Sequence, residues 1–342
     1  MIDECVLHIG TGKTGTTSIQ KVFSRNRRYL LKHGICYPNP ENHWVWAAAF
    51  TDGVKSPGTL RLQETKKVSY GEARELGQRF LSNAIELASK RKSRQLVISS
   101  EFFFPESPAS IANAFELLKQ QAESVKILCY VRHPVARGAS VFQQRLKMGK
   151  ITLESYADLS EQLVVADKLL KISEAIGREN LIVAAFDRHQ MLNGDVVDDF
   201  FGLMGRSDVL NHLERGLKTN ESLSREAATI ANALNELVLN CSETEPTIPR
   251  ASKIQHSLMK IGGSKFIPPA HFVEESRKIA RDELFKLKEY FGVVLPDVQE
   301  TQPDTIPGHS FSTDAVKDIA IILNQLHLEN DRLRKANANS DK

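Results

Sequence analysis

Residues 5–17 decide the fold: Cys5-Val6-Leu7-His8-Ile9 runs directly into Gly10-Thr11-Gly12-Lys13-Thr14-Gly15-Thr16-Thr17. The first five form a short, nearly continuous apolar run, as expected of a strand covered on both faces. After the glycine-rich turn, Ile19, Val22, Phe23, Asn26 and Leu30 recur at helical spacing, with Phe23 and Leu30 extending an apolar stripe. A strand, a glycine-rich turn and a helix start make a grip for an anion. Backbone N–H groups close around it, and the positive end of the helix dipole favours negative charge. Lys13 supplies a full charge, and Thr14, Thr16 and Thr17 supply hydroxyl donors. Gly12 and Gly15 let the backbone approach the ligand and take left-handed angles.

Two common phosphate loops do not fit. The triphosphate loop GxxxxGK[ST] is satisfied at its end by Gly12-Lys13-Thr14, but its first glycine would fall at Leu7. The dinucleotide fingerprint fails because Lys13 stands inside the turn. In addition, no acidic residue ends a clear second strand ~20 residues further on.

Working outward, residues 95–99, 125–131 and 181–186 are three more apolar runs that read as central strands. Helical segments lie between them; Ile111, Phe115 and Leu118 mark one. This alternation predicts an α/β fold, a P-loop-like parallel sheet flanked by helices, with a C-terminal helical extension. Residues 1–300 are expected to form the α/β domain, and 301–342 a linker and helix. Residues 51–60, with Asp52-Gly53 and Pro57-Gly58, read as a loop. Residues 241–270 carry no period and read as a lid, a binding segment or disordered chain. Helices are expected at 271–291 and 312–336, with 337–342 frayed. In the second helix Val316, Ile319, Leu323, Leu326, Asn330 and Leu333 form a short heptad stripe. A helix docked on its own domain is the simpler expectation, and a homodimer through 312–336 the alternative.

The chain has 342 residues, 41% hydrophobic and 25% charged, as in ordinary soluble globular proteins. A net charge of +3 suggests no nucleic-acid partner, although a local basic patch can still hold an anionic ligand. Cys5, Cys36, Cys129 and Cys241 are scattered without a CxxC pair, so a reduced setting is expected, with no disulfide framework. Clustered His/Asp spacing is also missing, and no metal is expected. No basic segment precedes an apolar one at the start, and no apolar run nears the ~20 residues that span a bilayer. A cytoplasmic protein, or one peripheral at the inner membrane, is the expectation.

Two further places carry chemistry. The third strand ends in Tyr130-Val131-Arg132-His133-Pro134, and Pro134 is suited to open a helix. Ser140 then lies under two turns in. Helical side chains lean toward the N-terminus, so Ser140 can face a ligand that Arg132 meets at the strand end. Arginine's planar fork suits phosphate; a local ion pair is the structural alternative. The second strand ends in Ser99-Ser100-Glu101, followed by Phe102, Phe103 and Phe104. A carboxylate at that edge of a parallel strand stands where open α/β sheets bind ligands. Beside an apolar wall it is a candidate proton acceptor, or else a cap or a contact to an acceptor hydroxyl. His43 lies in a segment rich in polar and aromatic groups. It is an alternative base, an acceptor contact, or a plain loop histidine.

From His8 to Gln20 the chain resembles the 5′-phosphosulfate loop of the sulfotransferase family, whose core reads Lys-Ser/Thr-Gly-Thr-Thr. The bacterial and carbohydrate-acting branches are the most similar. Arg132 and Ser140, eight positions apart, resemble the family's 3′-phosphate site. The resemblance covers roughly residues 4–295, with softer matches at Phe186-Asp187-Arg188 and at residues 220–224. It implies 3′-phosphoadenylyl sulfate as co-substrate and adenosine 3′,5′-bisphosphate as product. Gly12, Lys13, Thr14, Gly15, Thr16, Thr17, Arg132 and Ser140 would hold the nucleotide. It further implies Lys13 as a catalytic charge, Glu101 as general base with His43 as the alternative, and a saccharide, glycolipid or other hydroxyl acceptor. Two readings from other classes stand beside it. One is a nucleotide kinase or NTPase; the other is a non-catalytic interaction protein on the same fold.

Overall fold

Strand β1, Ile2–His8, is the middle of a five-stranded sheet with β2 (Ile35–Cys36), β3 (Gln95–Ser99), β4 (Ala122–Val131) and β5 (Leu181–Ala185). The order is β2-β3-β1-β4-β5, and every pairing is parallel. The structure, a computed structural model, describes residues 2–38, 43–51, 57–154, 163–216, 222–239, 254–298 and 313–340. Its helices are α1 (Thr16–Arg25), α2 (Arg27–Lys32), α3 (Trp44–Ala48), α4 (Pro57–Lys66), α5 (Tyr70–Lys90), α6 (Pro108–Lys119) and α7 (Pro134–Lys147). They continue with α8 (Ala166–Ile176), α9 (Val196–Leu203), α10 (Arg225–Leu239), α11 (Ile254–Leu258), α12 (Ala270–Phe291) and α13 (Thr313–Ser340). The chain divides into two compact units. One comprises Met1–His133, Val164–Leu217 and Asp282–Pro296; the other comprises Pro134–Leu163, Lys218–Arg281 and Asp297–Lys342.

The sheet belongs to the first unit; β3 and the C-terminal parts of β1 and β4 are buried on both faces, and β5 is mostly half-buried. Cys5, Leu7 and Ile9 join Ile98, Ile127, Cys129 and Val131 on one face, against Trp46, Leu81, Phe115 and Leu169 from α3, α5, α6 and α8. Val6, Val97, Leu128 and Tyr130 point the other way, against Phe23 of α1 and Phe200 and Phe201 of α9. The rings of Phe23 and Phe201 stack at 4.7 Å. That burial explains why β3 and the C-terminal parts of β1 and β4 read as unbroken apolar runs. It also keeps the thiols of Cys5 and Cys36 protonated: burial pushes Cys36 up to about 11, and Cys5 further.

Several expectations need correction. The two-residue β2 was too short to read from the sequence. The helix after the first turn is two helices, because Asn26 leaves the stripe to tie the chain elsewhere. Its Nδ2 donates to the carbonyls of Val22 (2.8 Å) and Glu214 (3.0 Å), and its Oδ1 accepts from Glu214 N at 2.8 Å. Pro57-Gly58 opens α4 rather than a loop, since proline is well tolerated at a first helical position; residues 52–56 lie outside the described residues. Within 241–270, residues 254–258 are helical, while 241–253 lie outside the description.

In the second unit, Phe142 and Leu146 of α7 pack with Ala227, Ala231, Leu258, Phe266 and Phe272. Asn235 Nδ2 donates to the carbonyls of Leu146 (2.8 Å) and Ile151 (2.6 Å), holding the end of α7 to α10. Ser224 Oγ caps α10 by accepting from Ala227 N at 3.0 Å. The turn at Gly262-Gly263 is pinned there too, with Arg225 N donating to Ser264 O at 2.8 Å. Helix α13 docks on α10 through Val316 and Ala320, and Asn324 is buried as well. His327 Nε2 and Ser257 Oγ add a hydrogen bond of 2.7 Å. Of the heptad stripe, Val316 and Leu323 pack on this face and Ile319 is half-buried, whereas Leu326 and Leu333 are exposed. The helix also reaches Ser340, beyond the frayed start expected at 337.

Candidate active site

The turn after β1 is braced from below. Thr11 Oγ1 donates to Tyr130 O at 2.8 Å, fastening the turn to β4, and Thr14 Oγ1 donates to the Thr11 carbonyl. Thr14's hydroxyl is therefore occupied within the turn. Lys13 and Gly15 both have left-handed backbones, φ 71° and 79°. For Lys13 that costs about 1–2 kcal/mol, held in place by the braces around it. Gly15 is the N-cap of α1; it makes no side-chain cap, and the first turn holds no acidic residue. Ser18 N and Ile19 N donate to Gly15 O, so the earlier N–H groups of Thr16 and Thr17 have no intrahelical partner. Space allows nothing but glycine at 15. A Cβ there would sit 2.9 Å from Val196 Cγ1 and 3.0 Å from Phe186 Cε2.

Two buried polar atoms face the root of this turn without a partner, Thr16 Oγ1 and His8 Nε2. Both lie over Gly10, where a Cβ would come within 2.6 Å of the first and 3.3 Å of the second. His8 sits between the rings of Tyr130 and Phe200, at 6.2 and 5.1 Å, and its Nδ1 bonds Ser99 Oγ at 2.9 Å. Burial drives its pKa down to about 3, so the ring is neutral at physiological pH.

Arg132 follows β4 directly. Its Nη1 donates to the Lys13 carbonyl across a long 3.4 Å, and its guanidinium stands 5.7 Å from the Phe186 ring. Burial, and secondarily the like charge of nearby Arg188, lower its pKa. An arginine stays charged even so. Two guanidinium groups this close to a turn carrying Lys13 repel one another unless an anion lies among them.

The carboxylate side is built on Ser99, the last residue of β3. Gln20 Nε2, from α1, donates to Glu101 Oε2 at 3.1 Å. His43 Nδ1 donates to the Ser99 carbonyl at 3.1 Å. A carbonyl can only accept, so Nδ1 carries the hydrogen and Nε2 is the ring's proton acceptor. Burial lowers the His43 pKa, opposed by the Ser99 carbonyl and by the charge of Glu101. Tyr37, 6.5 Å from the His43 ring, keeps its proton because burial, and then Glu101, raise its pKa. Phe103 and Phe104 are core residues, Phe103 5.9 Å from Phe50 and Phe104 beneath the Lys168 ammonium; Phe102 is half-buried beside them.

Thus Lys13, the turn, Arg132, Glu101 and His43 all fall at the C-terminal edge of one sheet, where open parallel sheets bind ligands. Ser140 belongs to the second unit, half-buried on α7.

The chain is similar to three solved sulfotransferase structures. A sulfotransferase from Alicyclobacillus acidocaldarius is 15% identical, with a TM-score of 0.45 over 85% of this chain and 96% of that one. The sulfotransferase domain of the Synechococcus PCC 7002 olefin synthase is 13% identical, with a TM-score of 0.36 over 86% and 96%. The sulfotransferase domain from the curacin biosynthetic pathway is 15% identical, with a TM-score of 0.36 over 86% and 99%. No protein-family model and no curated protein matches the chain.

Two members of the site carried no role in the sequence reading: Gln20 as a partner of Glu101, and Arg188 beside Arg132. Arg188 follows a strand end, a position that could have flagged it. For Gln20 the signal was an amide on the apolar face of an amphipathic helix, 7% exposed. Arg132 stands 5.7 Å from the Phe186 ring, with Arg188 nearby.

Proposed function

We propose that this protein is a sulfotransferase that uses 3′-phosphoadenylyl sulfate to sulfate a hydroxyl or amine of an acceptor, a saccharide or glycolipid being the class the sequence resemblance favours. The observation that carries the proposal is the pairing, on one sheet edge, of an anion grip with a carboxylate held by an amide donor. The donor supplies the activated sulfuryl group. Lys13 and the N–H groups at the start of α1 take up negative charge on the departing 5′-phosphate. Arg132 holds the 3′-phosphate, with Ser140 as its partner by sequence resemblance. Glu101 accepts the acceptor's proton as the new O–S or N–S bond forms in line with the breaking one. His43, neutral and with Nε2 as its acceptor atom, is the second candidate for that proton.

Titration with adenosine 3′,5′-bisphosphate tests the donor. It should bind far more tightly than AMP, which lacks the second phosphate. Binding no better than AMP, together with tight binding of Mg-ATP, would favour a kinase or NTPase. Glu101→Gln should keep bisphosphate affinity and lose transfer by roughly 10²–10⁴-fold, the usual worth of a general base. Full activity in that variant would move the role to His43.

A further inference from the structure

Gln20 belongs to both halves of the site. It lies on α1 four residues after Thr16, whose hydroxyl and N–H stand at the grip. Its side chain reaches the carboxylate, 3.1 Å from Glu101 Oε2, and it also lies 3.4 Å from the carbonyl oxygen and 3.5 Å from the hydroxyl of Ser99. A carboxylate only accepts, so the NH₂ side of the amide faces it. Packing alone does not ask for an amide here. The neighbours on the buried stripe are Ile19, Val22 and Phe23, and a methionine would fill the same space. A buried amide is costly unless bonded, and the shortest of these bonds goes to Glu101.

We infer that Gln20 is the positioning residue for Glu101, so that a single rigid helix sets the spacing between the phosphate grip and the base. The inference rests on the donor and base assignments proposed above. Four residues of α-helix amount to about 6 Å along the axis, a distance that cannot stretch without breaking helical hydrogen bonds. With Oε2 taken by Gln20, Oε1 is the oxygen that receives the acceptor's proton. In this arrangement donor binding and base placement share α1 but not the side chain of Gln20.

Gln20→Met tests this, since it keeps length and volume and removes the donor. Three measurements apply to wild type and variant: affinity for adenosine 3′,5′-bisphosphate, a crystal structure with that nucleotide, and transfer from labelled donor into a total glycan extract. Bisphosphate affinity should stay within about threefold, and the Glu101 carboxylate should leave its place while the turn and nucleotide superpose. Turnover should fall about ten- to a hundredfold at an unchanged KM for the donor, the usual value of a hydrogen bond to a charged group. If Glu101 stays in place and turnover is unchanged, or if affinity and melting temperature fall together with Glu101 unmoved, Gln20 is structural and the inference is wrong. Should Gln20→Met fail to fold, Gln20→Glu keeps the shape and sets a like charge against Glu101, with the same displacement expected. Failure of the donor reading is seen separately, as wild-type protein that does not bind the bisphosphate.

Discussion

Lowering the pH should destabilise this protein through His8, beneath the phosphate turn. The ring is fully buried and its pKa falls from 6.5 to about 3. The sign follows from proton counting. Below 6.5 the unfolded chain binds a proton that the folded state refuses, so stability is fully present above 6.5 and is lost as pH falls toward 3. The slope in that window is about 1.4 kcal/mol per pH unit, and the loss between pH 7 and 4.5 comes to about 2.5 kcal/mol. Any folded value below about 4 gives nearly the same figure at pH 4.5, because the unfolded state dominates the difference. The assay is urea unfolding of wild type and His8→Gln at pH 7, 5.5 and 4.5. His43 and the carboxylates titrate in both proteins, so the difference between the two curves isolates His8. The wild-type advantage should shrink by about 2.5 kcal/mol over this range. A difference independent of pH would refute the reasoning and mean that water reaches the ring.

Gly15→Ala should abolish bisphosphate binding and cost about 1–3 kcal/mol in urea unfolding, from a left-handed backbone and contacts with Val196 and Phe186. Arg132→Ala should weaken the bisphosphate by at least tenfold while weakening AMP much less, as calorimetry with both nucleotides would show. Asn26→Ala, which strands the backbone N–H and carbonyl of Glu214, should cost about 2 kcal/mol in urea unfolding with bisphosphate affinity unchanged.

Much of the strand, glycine-rich turn and helix start was legible because it is contiguous. Strand, turn and helix start occupy residues 2–25, and local sterics dictate where glycines must stand and where N–H groups are left over. The succession Arg132, His133, Pro134 likewise announces a strand end and a helix start. Where the reading of elements failed, the cause was a longer-range partner. Asn26 broke a helix because residue 214 offered it better hydrogen bonds. Of the α13 stripe only Val316 and Leu323 join the buried cluster, with Ala320 from outside it, because the course of the partner helix decides how much of a stripe is covered.

By itself, then, the sequence determined that a glycine-rich turn leads from a buried strand into a helix, and that an arginine and a carboxylate end two other strands. Only the tertiary structure decided which groups stand together around Ser99. Residues 8, 20, 43, 99 and 101 meet there because β1 pairs in parallel with β3 and α1 packs back across them. Parallel pairing needs a crossover between strands, so neighbours in the sheet are distant along the chain. No spacing rule in the sequence could have joined Gln20 to Glu101, whereas one hydrogen bond of 3.1 Å does.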